Sequence, residues 1–283
     1  MLCIYHIADH DGKGSAAIVG RKFKNVEFYG LNHDGDYPYD LIEKHNEIVI
    51  CDIALPLEMM FELNETKDLT WIDHHISMIE EYDKAIAEGK PEIKGLRKNG
   101  TAAIQLTWQY FYPDQPIPEG VKLLALNDIY DLRDKRVRPF EYAFQSMGVN
   151  KPTDNNWKDL FDGKLKVDEM VKKGEAILSY IKNRNHRLCK AMSFESEYMG
   201  LKCICANMPQ GYSEFYDGVK NIKDYDFMCN FFMSGKNLWN LSFYTSKENV
   251  DVSKIAATFG GGGHKKASGA SGLKELPAFL LKR

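Results

Sequence analysis

Residues 69–75 read LTWIDHH, an apolar run followed by three polar residues, and they are the most informative part of the sequence. Its first four residues predict a short buried strand that ends directly at an aspartate and two histidines. Two further apolar runs, residues 2–5 and 48–51, also end at polar side chains. The polar residues that follow the three predicted strands are His6, Asp9, Asp11, Asp52, Asp73, His74 and His75. Since ligands bind beyond the carboxyl ends of the strands in an open α/β sheet, we expect these side chains to share one site.

The chemistry of these side chains predicts a metal-dependent enzyme that acts on an anionic substrate. Four carboxylates and three imidazoles at one edge of a sheet would repel one another and resist burial. Metal cations remove this repulsion because they neutralise the carboxylates and take imidazoles as ligands. A purely structural role would need lysines or arginines as ion-pair partners, and only Lys13 is near the first cluster in sequence.

Composition narrows the classes of partner. The 283 residues are 44% hydrophobic and 27% charged, as in a globular protein, and no stretch is apolar for long enough to span a membrane. The net charge of -3 provides no global basic field for long nucleic acid, so we expect any nucleic-acid substrate to be short. Without a leader pattern at the N-terminus or a cysteine framework, we expect a cytoplasmic protein.

The first part of the chain, residues 1–153, alternates strand and helix patterns and predicts an α/β domain with a parallel sheet. The apolar runs are continuous, which is typical of strands that are buried on both faces. The predicted strands are Leu2–Ile7, Val26–Tyr29, Ile48–Cys51 and Leu69–Ile72. The predicted helices are one that begins at Ala16, one over Thr101–Phe111 with Thr101 as its N-cap, and one over Val121–Leu126.

The rest of the chain predicts a connecting segment, residues 154–193, and a smaller C-terminal α/β domain with a mixed sheet, residues 194–283. Residues 154–164 are polar and predict a loop or a domain boundary, and helical spacing of apolar residues predicts one long helix from Val167 to about Leu188. The C-terminal predictions are a strand over Tyr198–Cys205, a hairpin of Phe227–Met233 and Leu238–Tyr244, helices over Asp251–Phe259 and Leu276–Leu281, and a glycine run over Gly260–Gly263.

Three motifs together resemble the DHH phosphoesterase superfamily over nearly the whole chain. They are HIADHDG at residues 6–12, the DHH triplet at 73–75 and GGGGHKKASG at 260–269. The HxxDxDG spacing is similar to that of the oligoribonuclease or nanoRNase-like branch. The resemblance implies an N-terminal domain that holds two divalent metal ions, usually Mn²⁺ with Mg²⁺ as the alternative, and a C-terminal domain that closes over the substrate.

The resemblance also implies a role for each residue. One metal would be bound by His6, Asp9 and Asp52, and the second by Asp11, Asp52, His74 and a later aspartate. Asp52 would therefore bridge the two ions. The later aspartate is Asp128 or Asp131; we favour Asp128, which directly follows an apolar run, and Asp131 stays open. Asp73 would orient His74, and His75 would face the scissile phosphate, to stabilise its charge or to protonate the leaving oxygen.

The glycine-rich motif would bind the substrate away from the metals. Its candidate binding residues are Gly261, Gly262, Gly263, His264 and Lys265. Glycines let the backbone approach a phosphate and turn N–H groups towards it, and lysine adds positive charge without a fixed geometry.

We therefore predict a phosphodiesterase that hydrolyses short single-stranded oligoribonucleotides or dinucleotides from one end, as an exonuclease, and releases nucleoside monophosphates. One alternative is a phosphohydrolase of other small phosphates: linear or cyclic dinucleotides, a 3′,5′-bisphosphate nucleotide, pyrophosphate or polyphosphate. Another is a catalytically inactive nucleotide-binding module. The polarity of attack, the preference for RNA or DNA, and assembly into a homodimer stay open at this point.

Overall fold

The computed structural model describes residues 1–32, 35–209, 213–263 and 265–281. The chain divides into two compact units, Met1–Leu178 and Ser179–Arg283. Among the described residues, none of the helices combines the length and the hydrophobicity of a membrane span.

The first unit is built on a parallel sheet of four strands in the order β2-β1-β3-β4. The strands are β1 (Leu2–His6), β2 (Glu27–Leu31), β3 (Glu47–Cys51) and β4 (Asp68–Ile72). Alternate residues of β1 and β3 enter different cores: Cys3 and Val49 pack on one face, whereas Leu2 and Ile48 pack on the other. Burial on both faces explains the continuous apolar runs, and the predicted α/β parallel sheet is confirmed.

Helices cover the sheet and lead to the second unit. They are α1 (His10–Lys22), α2 (Tyr39–Lys44), α3 (Leu57–Thr66), α4 (Ile76–Ala87), α5 (Ala103–Phe111), α6 (Glu119–Asp128), α7 (Val137–Gln145), α8 (Asn155–Phe161) and α9 (Val167–Met192). The long helix α9 is thus present as predicted, and the division between the two units falls within it.

Helix α1 begins six residues earlier than the sequence predicted. The Asp9 carboxylate caps it, since Oδ1 accepts hydrogen bonds from the N–H groups of Asp11 and Gly12, each at 3.1 Å. Gly12 is a requirement of packing rather than a loop signal, because a Cβ at this position would lie 2.1 Å from the carbonyl oxygen of His6. The first motif therefore combines a strand end, a helix cap and a close backbone contact.

The predicted loop over residues 154–164 is also wrong, because α8 lies within it. Trp157, Leu160 and Phe161 are buried in the core of the first unit, and the polar residues between them stay at the surface. An amphipathic helix of only seven residues contains too few apolar residues to show a helical period in the sequence.

The second unit contains a mixed sheet of six strands in the order β5-β6-β7-β8-β10-β9, as predicted for its fold class. The strands are β5 (Ser193–Tyr198), β6 (Leu201–Asn207), β7 (Phe227–Met233), β8 (Trp239–Tyr244), β9 (Gly262–Gly263) and β10 (Ala267–Leu273). Strands β6 and β7 are parallel, whereas the other neighbours are antiparallel. Helix α10 (Val252–Ala257) packs on this sheet.

Two predictions for the second unit need correction. The single strand over Tyr198–Cys205 is a hairpin of β5 and β6, because Met199 and Gly200 turn the chain with φ values of 56° and 74°. The closing helix predicted over Leu276–Leu281 is only a 3-10 turn at Ala278–Leu280, directly after Pro277.

Candidate metal centre

The carboxyl ends of β1, β3 and β4, together with helices α1 and α6, bring the predicted ligands into two neighbouring groups. His6, Asp9 and Asp52 form the first group, and Asp11, His74 and Asp128 form the second. Within each group, the nitrogen or oxygen atoms that each residue offers lie within 4.8 Å of one another. Both groups have the imidazole and carboxylate composition that suits a transition-metal dication.

Asp52 connects the two groups, because one of its carboxylate oxygens faces His6 and the other faces His74. Its Oδ2 lies 3.4 Å from His6 Nδ1, and its Oδ1 lies 3.2 Å from His74 Nε2. The residue is almost fully buried and has a φ of 59°, in the left-handed region that most side chains avoid. Its N–H group donates to the carbonyl of Ile72, which ties the end of β3 to the end of β4. This geometry is what a carboxylate that bridges two cations requires.

Asp128 joins the second group, whereas Asp131 does not. Asp128 Oδ2 lies 3.5 Å from His74 Nε2. The Asp131 carboxylate instead accepts hydrogen bonds from Nε and Nη2 of Arg133, at 2.8 and 2.5 Å. Of the two aspartates that the sequence left open, the structure therefore brings Asp128 to the other candidate ligands.

Asp11 links the second group to helix α5. Its buried carboxylate lies 3.6 Å from His74 Nε2 and accepts hydrogen bonds from the N–H groups of Ala103 and Ile104, at 2.8 and 2.7 Å. Asp11 therefore caps α5, and the prediction that Thr101 does so is wrong. The one signal in the sequence is that the residue before the helix, Ala102, has no side chain that can cap it.

Asp73 holds His75 rather than the ring of His74. Its Oδ1 accepts from His75 Nδ1 at 2.7 Å and from the N–H groups of His74 and His75, at 2.7 and 3.3 Å. The prediction that Asp73 orients the His74 imidazole is therefore corrected, since only the backbone of His74 contacts it. The hydrogen bond with Asp73 raises the pKa of His75, because it outweighs burial, which opposes the charged ring.

The electrostatics show that the residues fit divalent cations. Burial, assisted by the charges of Asp52 and Asp9, raises the pKa of Asp128 to about 7. Burial and the charge of Asp128 also raise the pKa of Asp11 well above its usual value. Asp52 Oδ1 and Asp128 Oδ2 are buried, and both face one imidazole nitrogen, His74 Nε2, at 3.2 and 3.5 Å, which has at most one proton to share between them. A cation would bind both oxygens and remove the repulsion between the carboxylates.

The imidazoles compensate part of this negative charge. Burial lowers the pKa of His6, but its hydrogen bonds with Asp52 and Asp9 outweigh burial and raise the pKa to about 10. In turn, burial raises the pKa of Asp52, but His6 and His74 outweigh it and lower the pKa to about 2. His6 Nδ1 and His74 Nε2, which face the Asp52 carboxylate, are the nitrogen atoms that metal ions would take as ligands.

The glycine-rich motif of the second unit has a partly different role from the one predicted. Gly260 and Gly261 complete the end of α10: Gly260 has a φ of 74°, and the Gly261 N–H donates to the carbonyl of Ala256 at 3.0 Å. The Gly261 N–H is therefore not available to a phosphate. Gly262 and Gly263 are exposed in β9, and the Lys265 side chain is exposed beyond them. His264 lies outside the described residues.

The comparisons with known proteins agree with this description. No family model matches the sequence. The chain is 27% identical to the uncharacterized protein R106 of Acanthamoeba polyphaga mimivirus, over 96% of this chain and 68% of that protein. Among solved structures it resembles the DHH domain of a protein that is named as a member of a ribosomal protein family, with a TM-score of 0.60 and 14% identity over 96% of this chain and 82% of that one.

Two further structures carry names that describe an activity or a metal. One is PggH from Vibrio cholerae, a pGpG-specific phosphodiesterase, with a TM-score of 0.52 and 11% identity over 96% of this chain and 93% of that one. The other is RecJ in complex with Mn²⁺ from Thermus thermophilus, with a TM-score of 0.51 and 14% identity over 96% of this chain and 49% of that one. The chain therefore has the fold of DHH-domain proteins, and the resemblance in the three motifs is confirmed at the level of the fold.

Proposed function

We propose that the chain is a two-metal phosphodiesterase that hydrolyses short oligoribonucleotides to nucleoside monophosphates. The observation that carries the proposal is the position of Asp52, whose Oδ2 faces His6 in the first group and whose Oδ1 faces His74 in the second. Two divalent cations, when bound, supply positive charge against the phosphate and a water molecule with a lowered pKa. His6, Asp9, Asp11, Asp52, His74 and Asp128 would hold them.

In this mechanism His75 protonates the leaving oxygen. Asp73 fixes the ring through Nδ1, so Nε2 is the atom that remains to donate a proton. The raised pKa of His75 favours the protonated ring that a general acid requires. Asp73 is itself fully buried, and its Oδ1 holds the turn after β4 through two backbone N–H groups, so the ring is oriented by a rigid support.

The substrate class is supported by the first motif and by the net charge. The HxxDxDG spacing is similar to that of oligonucleotide-degrading relatives, and a net charge of -3 does not attract long nucleic acid. PggH, which shares the fold, is named as a phosphodiesterase specific for a dinucleotide, and RecJ is named with Mn²⁺. We propose Mn²⁺ as the metal, and the exposed Gly262, Gly263 and Lys265, with His264, as contacts for phosphates farther from the scissile bond.

The test is hydrolysis of 5′-labelled ribonucleotides of two to five residues after removal of metal and addition of Mn²⁺ or Mg²⁺. We expect release of nucleoside monophosphates with Mn²⁺, and its abolition in Asp52→Asn and His74→Ala. Intact RNA with wild-type protein, or unchanged cleavage by both variants, would contradict the proposal. Cleavage of pyrophosphate or a 3′,5′-bisphosphate nucleotide instead would retain the metal centre and change the substrate. Nucleotide binding without turnover would favour the inactive binding module.

A further inference from the structure

The end of helix α6 has a geometry that normally selects glycine. The N–H of Tyr130 donates to the carbonyl of Asn127 at 3.1 Å, and the N–H of Asp131 donates to the carbonyl of Leu126 at 2.8 Å. This pair of hydrogen bonds is a Schellman motif, which requires a left-handed residue just after the helix. Tyr130 occupies this position with a φ of 56°. Glycine adopts that conformation without strain, so the choice of tyrosine works against the stability of the turn.

The side chain of Tyr130 does not compensate for this strain by packing. It is 60% exposed, among the most exposed large apolar side chains in the described residues. Within the same described part of the chain, its hydroxyl makes no hydrogen bond, and its ring stacks on no aromatic or cationic side chain. A strained residue with an exposed aromatic ring is therefore not explained by folding, and strain of this kind concentrates at functional sites.

The position of Tyr130 in the chain indicates what the ring could bind. Tyr130 comes two residues after Asp128, and the Asp128 carboxylate lies 3.5 Å from His74 Nε2 in the candidate metal centre. Two residues of chain place the Cα atoms of Tyr130 and Asp128 within about 7 Å of each other. An exposed aromatic side chain thus belongs to a residue whose backbone lies next to that of a candidate metal ligand. Base stacking on such a face tolerates any sequence, which suits an enzyme that consumes short oligonucleotides from one end.

We infer that Tyr130 stacks against a nucleobase of the bound substrate, next to the scissile phosphate. The inference rests on the proposed function, because it requires a nucleotide at the metal centre. It also specifies that function, since pyrophosphate and polyphosphate have no base to stack. Tyr130 thereby becomes a determinant of selection for nucleotides over other small phosphates.

The experiment compares Tyr130→Ala and Tyr130→Phe on dinucleotides that carry both bases or lack one base at either position. For the complete dinucleotide we expect Tyr130→Ala to raise KM about tenfold, because the variant loses the stacking of one base. Tyr130→Phe keeps the aromatic ring and should have the KM of wild type. For one of the two abasic dinucleotides, wild type and Tyr130→Ala should have the same KM. A Tyr130→Ala effect that is absent, or equal on all three dinucleotides, would overturn the inference.

Tyr130→Gly controls for folding. It removes the ring and also relieves the left-handed strain, so it should unfold at a temperature no lower than wild type. If the ring binds a base, Tyr130→Gly should nevertheless raise KM as much as Tyr130→Ala does. A glycine variant that restores wild-type KM would show that the alanine defect was structural and would overturn the inference.

A binding measurement separates this inference from the proposed function. Calorimetric titration with AMP and with ribose 5-phosphate, in the presence of Mn²⁺, requires no turnover. We expect wild type to bind AMP more tightly, and Tyr130→Ala to lose that difference. If oligonucleotides are not hydrolysed but this difference appears, the proposed function fails and the stacking role stands. Equal binding of both ligands, or binding of neither, would overturn the stacking role whether or not hydrolysis occurs.

Discussion

Single residues show most directly whether the two groups act as a metal centre, and Asp128 and Asp131 form a matched pair for this purpose. Asp128→Asn removes a carboxylate from the second group, so we expect Mn²⁺ binding and kcat/KM each to fall by more than about tenfold. Asp131→Asn removes only an ion pair with the exposed Arg133 and should change both by less than about twofold. Titration calorimetry with Mn²⁺ and the oligonucleotide assay measure the two quantities. The opposite ranking of these variants would assign the ligand to Asp131.

The dyad of Asp73 and His75 makes a prediction about the leaving group. If His75 protonates the leaving oxygen, His75→Ala should slow cleavage of a ribonucleotide, whose alkoxide needs a proton, by about 100-fold or more. A p-nitrophenyl phosphodiester releases a stable phenolate, so the same variant should lose far less activity on it. The ratio of kcat values on the two substrates is the measurement. Equal losses on both would assign His75 to substrate binding or charge stabilisation instead.

At this scale the sequence predicted which residues meet but not every contact between them. The carboxyl ends of parallel strands must lie at one edge, so His6, Asp52 and His74 were predictable from three apolar runs. The partner of Asp73 was not, because two adjacent histidines compete for it and the turn after β4 decides which ring reaches it. The cap that Asp11 provides to α5 joins residues 92 apart, a distance at which no local pattern exists.

At the scale of elements, the boundaries that the sequence missed depend on tertiary contacts. Helix α1 begins with residues that look like a loop in the sequence, because glycine at position 12 has a low helix propensity. A glycine is nevertheless required there, since a side chain would clash with the backbone of His6. The β5–β6 hairpin turns at Met199 and Gly200, and a methionine with positive φ is not a common turn signal. Long elements such as α9 were predictable because periodicity over many residues outweighs local exceptions.

Two glycines of α1 test this account of the first motif. Gly12→Ala places a Cβ against the His6 backbone, which cannot move without shifting the end of β1, so we expect a loss of about 1–3 kcal/mol in unfolding free energy. Gly20→Ala lies in the same helix but meets only the end of the Phe28 ring, at 2.9 Å. Better helix propensity offsets this contact, so its effect should stay within about 1 kcal/mol.

Urea unfolding of both glycine variants provides the comparison, and Mn²⁺ titration shows whether the shift at His6 reaches the ligands. We expect Gly12→Ala to bind Mn²⁺ more weakly than Gly20→Ala. Equal stability and equal Mn²⁺ binding in the two variants would refute the role of Gly12 as a point of close contact.

At the scale of the whole molecule, the candidate metal ligands all lie in the first unit, where bound cations would balance the charge of the buried carboxylates. The fold class was predictable because the apolar pattern differs between the two units. The first unit has continuous apolar runs that alternate with helix patterns, whereas the second has shorter strand, hairpin and helix patterns. The division between the units was harder to locate, since it falls within α9, whose helical spacing continues across it.

The charge that accumulates at the first unit leads to a prediction about global stability. Burial and mutual repulsion of Asp11 and Asp128 oppose folding, as their raised pKa values indicate, and bound cations would reverse this effect. At a Mn²⁺ concentration of about 100 times Kd, mass action contributes about 2.7 kcal/mol for each of the two ions, so we expect the unfolding midpoint to rise by roughly 5 to 10 °C. Scanning calorimetry with Mn²⁺, and again after addition of EDTA, measures the shift and its reversal. Asp52→Asn should lose most of the rise and Asp131→Asn should keep it; an equal rise in both would mean that Mn²⁺ binds elsewhere on the chain.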